Sequence, residues 1–234
     1  MDAVSILKWV LLLNAAVIMH DGFHAWVAAS LGIPIRIFII GLPIGPYLTL
    51  YVRNIPVRVY LMPLGGGIAT DINTFWRAPF WKKALVLIYG PIGSLIGALM
   101  VALAFFGSWG IPVVRMVLDG VVRSAEVLLN GELITSGLPV MRDVIGFSTQ
   151  MIEIGELKGF VLGWLFLNVS VGVLNLVPIP GLDGGTILLG IFSSLAGNSP
   201  KAVKIVHRIS HEGMRVLFGG ALFLVVRDVI RTFF

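Results

Sequence analysis

His20-Asp21-Gly22-Phe23-His24 sets two histidines at i and i+4. On a helix they lie one turn apart on the same face, so both imidazoles can reach one cation. The acid that follows the first histidine falls beside the same point. This is the pattern of H-E-x-x-H zinc sites, where the acid is the general base acting on water. Here the acid is Asp21, one methylene shorter than Glu. A third ligand candidate, Asp183, lies in the run Asn175-Leu176-Val177-Pro178-Ile179-Pro180-Gly181-Leu182-Asp183-Gly184-Gly185. Pro178 and Pro180 break a helix there, and the glycines give Asp183 a setting of close backbone approach. The chain has no cysteine, so a metal must be held by histidine and carboxylate. His207 and His211 repeat the i, i+4 spacing, but in a charged stretch with no acid between them. They read as surface residues.

The elements that position these residues are apolar. Of 234 residues 57% are hydrophobic and 12% charged, and the mean hydropathy is +0.97. A bilayer crossing needs ~20 apolar residues, and runs of that kind recur along the chain. We therefore expect an all-α polytopic membrane protein, a single domain over 1–234, with about four transmembrane helices near 3–31, 80–110, 160–177 and 213–230. Polar groups inside such spans are costly and face the protein interior. Nucleic acid is not implied by the net charge of +5, because basic residues in membrane proteins mark cytoplasmic loops.

Between the first two spans the pattern changes. Residues 35–40, 47–52 and 57–62 are rich in β-branched and aromatic types and are separated by Pro43, Gly45, Pro46 and Pro56. They predict a small membrane-associated β-hairpin or sheet over 35–66, with 64–67 as a glycine turn. A free edge of it could pair with an extended peptide. Trp76, Trp81 and Trp109 bracket the second span like interfacial anchors, with Lys82 and Lys83 at its start. Gly90-Pro91 predicts a bend and close packing within it. Over 111–159, Arg115, Asp119, Arg123 and Glu126 recur at helical spacing, which predicts an amphipathic connector along the membrane surface. That segment is too short for an added globular domain of typical size. Residues 197–208 read as a basic loop. The excess of Lys and Arg over 32–83 and 201–208 places those connections in the cytoplasm and both termini outside. His20 and Asp183 then fall at similar depth, toward the cytoplasmic side.

Taken together, 20–24 and the N-x-x-P-x-P-x-L-D-G-G run at 175–185 resemble the site-2 protease family of intramembrane zinc metalloproteases. Residues 62–66 and Gly90-Pro91 also resemble family elements. The similarity is nearest to the bacterial RseP-type branch, without the PDZ domains of that branch. The resemblance implies Zn2+ held by His20, His24 and Asp183, Asp21 as general base, and Asn175 holding the substrate backbone. It implies single-span membrane proteins as substrates, such as anti-sigma factors or remnant signal peptides, in the bacterial inner membrane. A separate adaptor or regulatory protein would supply what the PDZ domains do. Asp in the base position draws the carboxylate back by ~1.5 Å, and ~1 Å of misplacement can cost ~100-fold in rate. The alternative is thus a weak or inactive relative that binds membrane helices without cleaving them. A transporter with a structural metal fits the hydropathy but leaves the 175–185 run unexplained.

Overall fold

Long apolar stretches set the longest elements. The computed structural model describes residues 3–61, 65–129 and 156–233. Helix α1 (Ala3–Ser30) ends at Gly32, whose φ of +72° suits a residue without Cβ. There the Gly32 and Ile33 amides donate to Ala29 O and Ala28 O, the paired bonds of a glycine-terminated helix. A four-stranded sheet follows: β1 (Ile35–Ile40), β2 (Tyr47–Val52), β3 (Ile55–Tyr60) and β4 (Gly66–Thr70). Then come α2 (Ile72–Arg77), α3 (Phe80–Phe106), a 3-10 turn at Gly107–Trp109, α4 (Gly110–Leu129), α5 (Glu156–Asn175), α6 (Asp183–Leu195) and α7 (Pro200–Phe233).

Among the described residues, three stretches are long and apolar enough to cross a membrane: Val10–Ser30, Phe80–Arg123 and Leu157–Asn175. The chain is a polytopic, mostly helical membrane protein. The fourth expected span, 213–230, lies within α7, where many of the side chains are outside the described residues. The second expected span is longer in apolar character than foreseen, because α4 folds back on α3. A Cβ at Gly110 would meet the Ala102 backbone at 2.7 Å, and Val117 and Val121 bury with Ala98, Ala102, Val161, Leu165 and Val169. The α4 part of the expected connector therefore packs on the bundle instead of lying apart on a surface; its remainder, 130–155, lies outside the described residues.

Between membrane helices the gain comes from close packing more than from water release, so small residues carry the contacts. On α3, Gly90, Gly93 and Gly97 share one face. A Cβ on each would sit 2.2–2.3 Å from atoms of His24, Phe23 and Met19 respectively. Those α1 side chains occupy the space that the glycines leave. The other side of α3 meets α5, where a Cβ at Gly172 would stand 3.1 Å from Pro91 O.

The sheet order is β2-β3-β1-β4. β2 and β3 form an antiparallel hairpin whose two-residue turn, Arg53-Asn54, has positive φ at both positions, as hairpin twist demands. β3 lies parallel to β1, and β4 is antiparallel to β1 on the other side. β4 corrects the expected glycine turn: Gly66 and Gly67 open a strand, paired with Ile40 and Ile39. β2 exposes Tyr47, Leu48, Leu50, Tyr51 and Val52, apolar on both faces.

Three further expectations change. Trp76 is buried in the core with Phe75, Val86 and Leu189, while Trp81 and Trp109 are exposed. Lys83 is fully buried; its Nζ donates to Trp76 O at 3.0 Å and to Asn198 Oδ1 at 2.9 Å. Most of the expected loop at 197–208 is helical, because Pro200 suits the first turn of α7 and the Ser199 carbonyl accepts the Val203 amide. Outside the spans, Asp71 caps α2, accepting from the Thr74 amide. The Arg36 guanidinium, with Thr74, holds the Asp71 carboxyl down at about 2.

Candidate metal centre

Two elements bring the candidate ligands together. α1 carries His20, Asp21 and His24 on adjoining positions, all buried. α6 begins at Asp183, so the carboxylate stands in the first turn of a helix, the end whose dipole favours negative charge. The run before it is compressed against its neighbours. A Cβ at Gly184 would come 2.3 Å from Leu176 O, and one at Gly185 2.0 Å from Ile179 O. The two glycines after Asp183 are therefore required by the chain crossing over the start of α6. Gly181, at φ +104°, lies against the backbone of Met214 in α7, and Gly213 against Pro180 O.

The resulting triangle is tight. His20 Nε2, His24 Nε2 and Asp183 Oδ2 stand 3.1 Å from one another. His24 Nδ1 lies 2.6 Å from Val86 O. A carbonyl can only accept, so Nδ1 carries the proton and His24 Nε2 presents a lone pair. His20 Nδ1 meets Ser94 Oγ at 3.1 Å, and with Nδ1 as donor its Nε2 likewise points a lone pair inward. The rings stand edge to face at 86°. Two lone pairs and a carboxylate oxygen at this separation repel unless a cation lies between them. With Zn–N and Zn–O bonds of ~2.0–2.2 Å, a tetrahedral ion separates its ligand atoms by roughly 3.3–3.6 Å, a few tenths more than the triangle's sides. The donor set and its spacing fit zinc with one position left open.

Asp21 is close by. One ligand-capable atom each from His20, Asp21 and His24 lies within 4.8 Å of the others, but Asp21 is outside the 3.1 Å triangle. Its Oδ2 is buried without a hydrogen-bond partner among the described residues. The β4 backbone passes beside it: a Cβ at Gly66 would stand 3.3 Å from that oxygen. Asn175 stands at the last turn of α5, and its Nδ2 donates to Val171 O at 2.9 Å, within its own helix. His207 and His211 stack at 6.3 Å on α7, away from any third ligand in contact except Glu212, which pairs with Arg215.

Sequence reasoning missed the supports of this centre. Val86 O and Ser94 Oγ orient the imidazoles, and Gly90 makes the space that the His24 ring fills. Gly90-Pro91 was visible as a bend, but its role depends on a helix about 66 residues earlier in the chain. Gly90 and Ser94 do share the i, i+4 spacing, which could have marked one working face of α3.

Helices of membrane length enclosing a buried His, His, carboxylate cluster define a class of membrane metalloprotein. A family model described as Peptidase family M50 matches residues 8–217, and the chain belongs to that family, the site-2 proteases. Among similar proteins, "Membrane metalloprotease ARASP, chloroplastic" of Arabidopsis thaliana is 34% identical over 92 residues, 39% of this chain and 20% of its own length. A Thermotoga maritima protein, provisionally named a zinc metalloprotease, is 25% identical over 170 residues, 66% of this chain and 33% of its own. The chain thus spans a third or less of the length of these relatives. The family and the apolar helices make this an integral membrane protein of a metalloprotease family that uses zinc.

Proposed function

We propose that this protein is an intramembrane zinc endopeptidase that hydrolyses peptide bonds within transmembrane segments of single-span proteins. The observation that carries the reading is the 3.1 Å triangle of His20 Nε2, His24 Nε2 and Asp183 Oδ2 with a buried carboxylate beside it. His20, His24 and Asp183 would hold the ion. When bound, zinc supplies Lewis acidity that makes water a nucleophile near neutral pH and polarises a carbonyl.

The chain's own residues supply the rest. Val86 O and Ser94 Oγ fix the imidazoles so that their Nε2 lone pairs face inward. Asp21 Oδ2 takes the proton of the attacking water and returns it to the leaving amide nitrogen. Its freedom from hydrogen bonds among the described residues supports that role, since no donor there competes for the oxygen. A peptide bond in a membrane helix is shielded by its own hydrogen bonds, so the substrate must be unwound before attack. The outer side of β4 supports a way to hold it: β4 is an edge strand beside Asp21, and an extended peptide added there gains main-chain bonds near the reacting carboxylate. Asn175 at the mouth of the α5–α6 loop would hold the peptide backbone, giving up its bond to Val171. The basic connections support a site nearer the cytoplasmic side, with both termini outside. In a bacterium the inner membrane is the place for such a protein.

The test is cleavage of a tagged single-span substrate by the purified protein in detergent, with zinc measured on the same sample. Chelator-sensitive cleavage supports the proposal. Bound zinc with no cleavage across several substrates supports the second reading, a relative that binds helices without cutting them, which the short Asp21 favours. Asp21→Glu then decides whether reach is limiting: the expected outcome is a higher rate, and an unchanged rate rejects the short-base explanation.

A further inference from the structure

Where α1 ends and α3 begins, the surface opens into a cleft of about 420 Å³ lined by Leu31, Gly32, Thr74, Arg77, Pro79 and Lys82 among others. Two apolar spans surface together here, so the cleft lies at headgroup depth. Two cations and no acid line it. Arg77 has no partner among the described residues. Lys82 spends one of its three N–H donors on Leu31 O at 3.0 Å, which leaves two. The acid nearest in sequence, Asp71, is occupied by Arg36. Trp81 lies under the Lys82 ammonium at 5.6 Å and is 54% exposed, and Leu85 and Ile88 continue it on the same exposed face of α3. Trp26 of α1, also exposed, packs edge-on to Tyr89 beside that face.

The geometry points to an anionic phospholipid site: a phosphodiester headgroup between Arg77 and Lys82, with acyl chains along Trp81, Leu85 and Ile88. A zwitterionic headgroup gains less, because its ammonium finds no carboxylate in the cleft. The ligand bridges the C-terminal end of α1, which carries the histidines, and the start of α3, which carries their supports. This site is independent of whether the protein cleaves peptides.

Native mass spectrometry of the detergent-purified chain, titrated with phosphatidylglycerol or phosphatidylcholine, reads the site directly. One phosphatidylglycerol should bind roughly tenfold or more tighter than phosphatidylcholine, and Arg77→Gln should cut that preference roughly fivefold, about the effect of one surface cation. Arg77→Lys should keep most of it. Arg77 is exposed and has no ion pair among the described residues, so the variant should fold; an unchanged melting temperature checks this. Equal binding of the two lipids, or a preference that survives Arg77→Gln, overturns the proposal. Displacement by inorganic phosphate at equal concentration overturns the lipid assignment in favour of a free-anion site.

Discussion

The chain holds two histidine pairs with the same spacing, and they could hardly differ more. His20 and His24 are buried, stand at 86° to each other, and share Asp183. His207 and His211 lie near-parallel at 20° on α7, and His211 is exposed beside a glutamate already paired with arginine. Spacing puts two imidazoles on one helix face in both cases. What fits the first pair to hold a metal is everything that is not on α1: a carbonyl and a hydroxyl from α3, a carboxylate from α6, and a glycine where the ring must fit. A ligand's partners determine its tautomer and its orientation, and among the described residues the second pair has only Glu212, 4.0 Å from His211 Nδ1.

That contrast can be broken first at the ligands. Asp183→Ala should reduce zinc from about one per chain to near zero, while His207→Ala with His211→Ala should leave it at about one; elemental analysis of the purified variants decides. Retention of zinc without Asp183 would remove it from the triangle. Next, Gly90→Ala places a methyl 2.2 Å from His24 Nε2 and should weaken zinc binding up to ~100-fold, measured by competition with a chromogenic chelator. Ser94→Ala should cost nearer tenfold in the same assay, because it removes one bond to His20 and leaves the ring its space. The smallest effect is expected far from either pair. Asp71 is held at about 2, below its ordinary 3.8, so its bond to Arg36 stabilises the fold above that ordinary value. The contribution disappears as pH falls toward 2. Asp71→Asn should therefore lower the melting temperature slightly at neutral pH and flatten its acid dependence between about 4 and 2.

Much of the centre was legible in the sequence because its residues are local. His20, Asp21 and His24 sit within one helical turn, and the prolines and glycines around Asp183 announce a chain reversal. The strands at 35–40 and 47–52 followed from their β-branched content, but their order did not. Alternation along a strand says which face it buries and nothing about which neighbour it takes, so the parallel β1–β3 pair was invisible. β4 was hidden because glycines weaken a strand's signature. Lys83 and Trp76 read as boundary residues, since neither hydropathy nor spacing reveals that α6 and α7 will close over them. The fourth span was expected from apolar content alone, and many of the side chains of α7 over that stretch lie outside the described residues.

Lys83 also bears on the order in which the protein is built. Asn198, which accepts from its ammonium, comes 115 residues later, so the bond must await synthesis of that intervening stretch. Until then a buried ammonium would have no side-chain acceptor among the described residues, and only Trp76 O, seven residues earlier, could accept from it. Once Asn198 arrives, the same side chain fastens the start of α3 to the turn between α6 and α7.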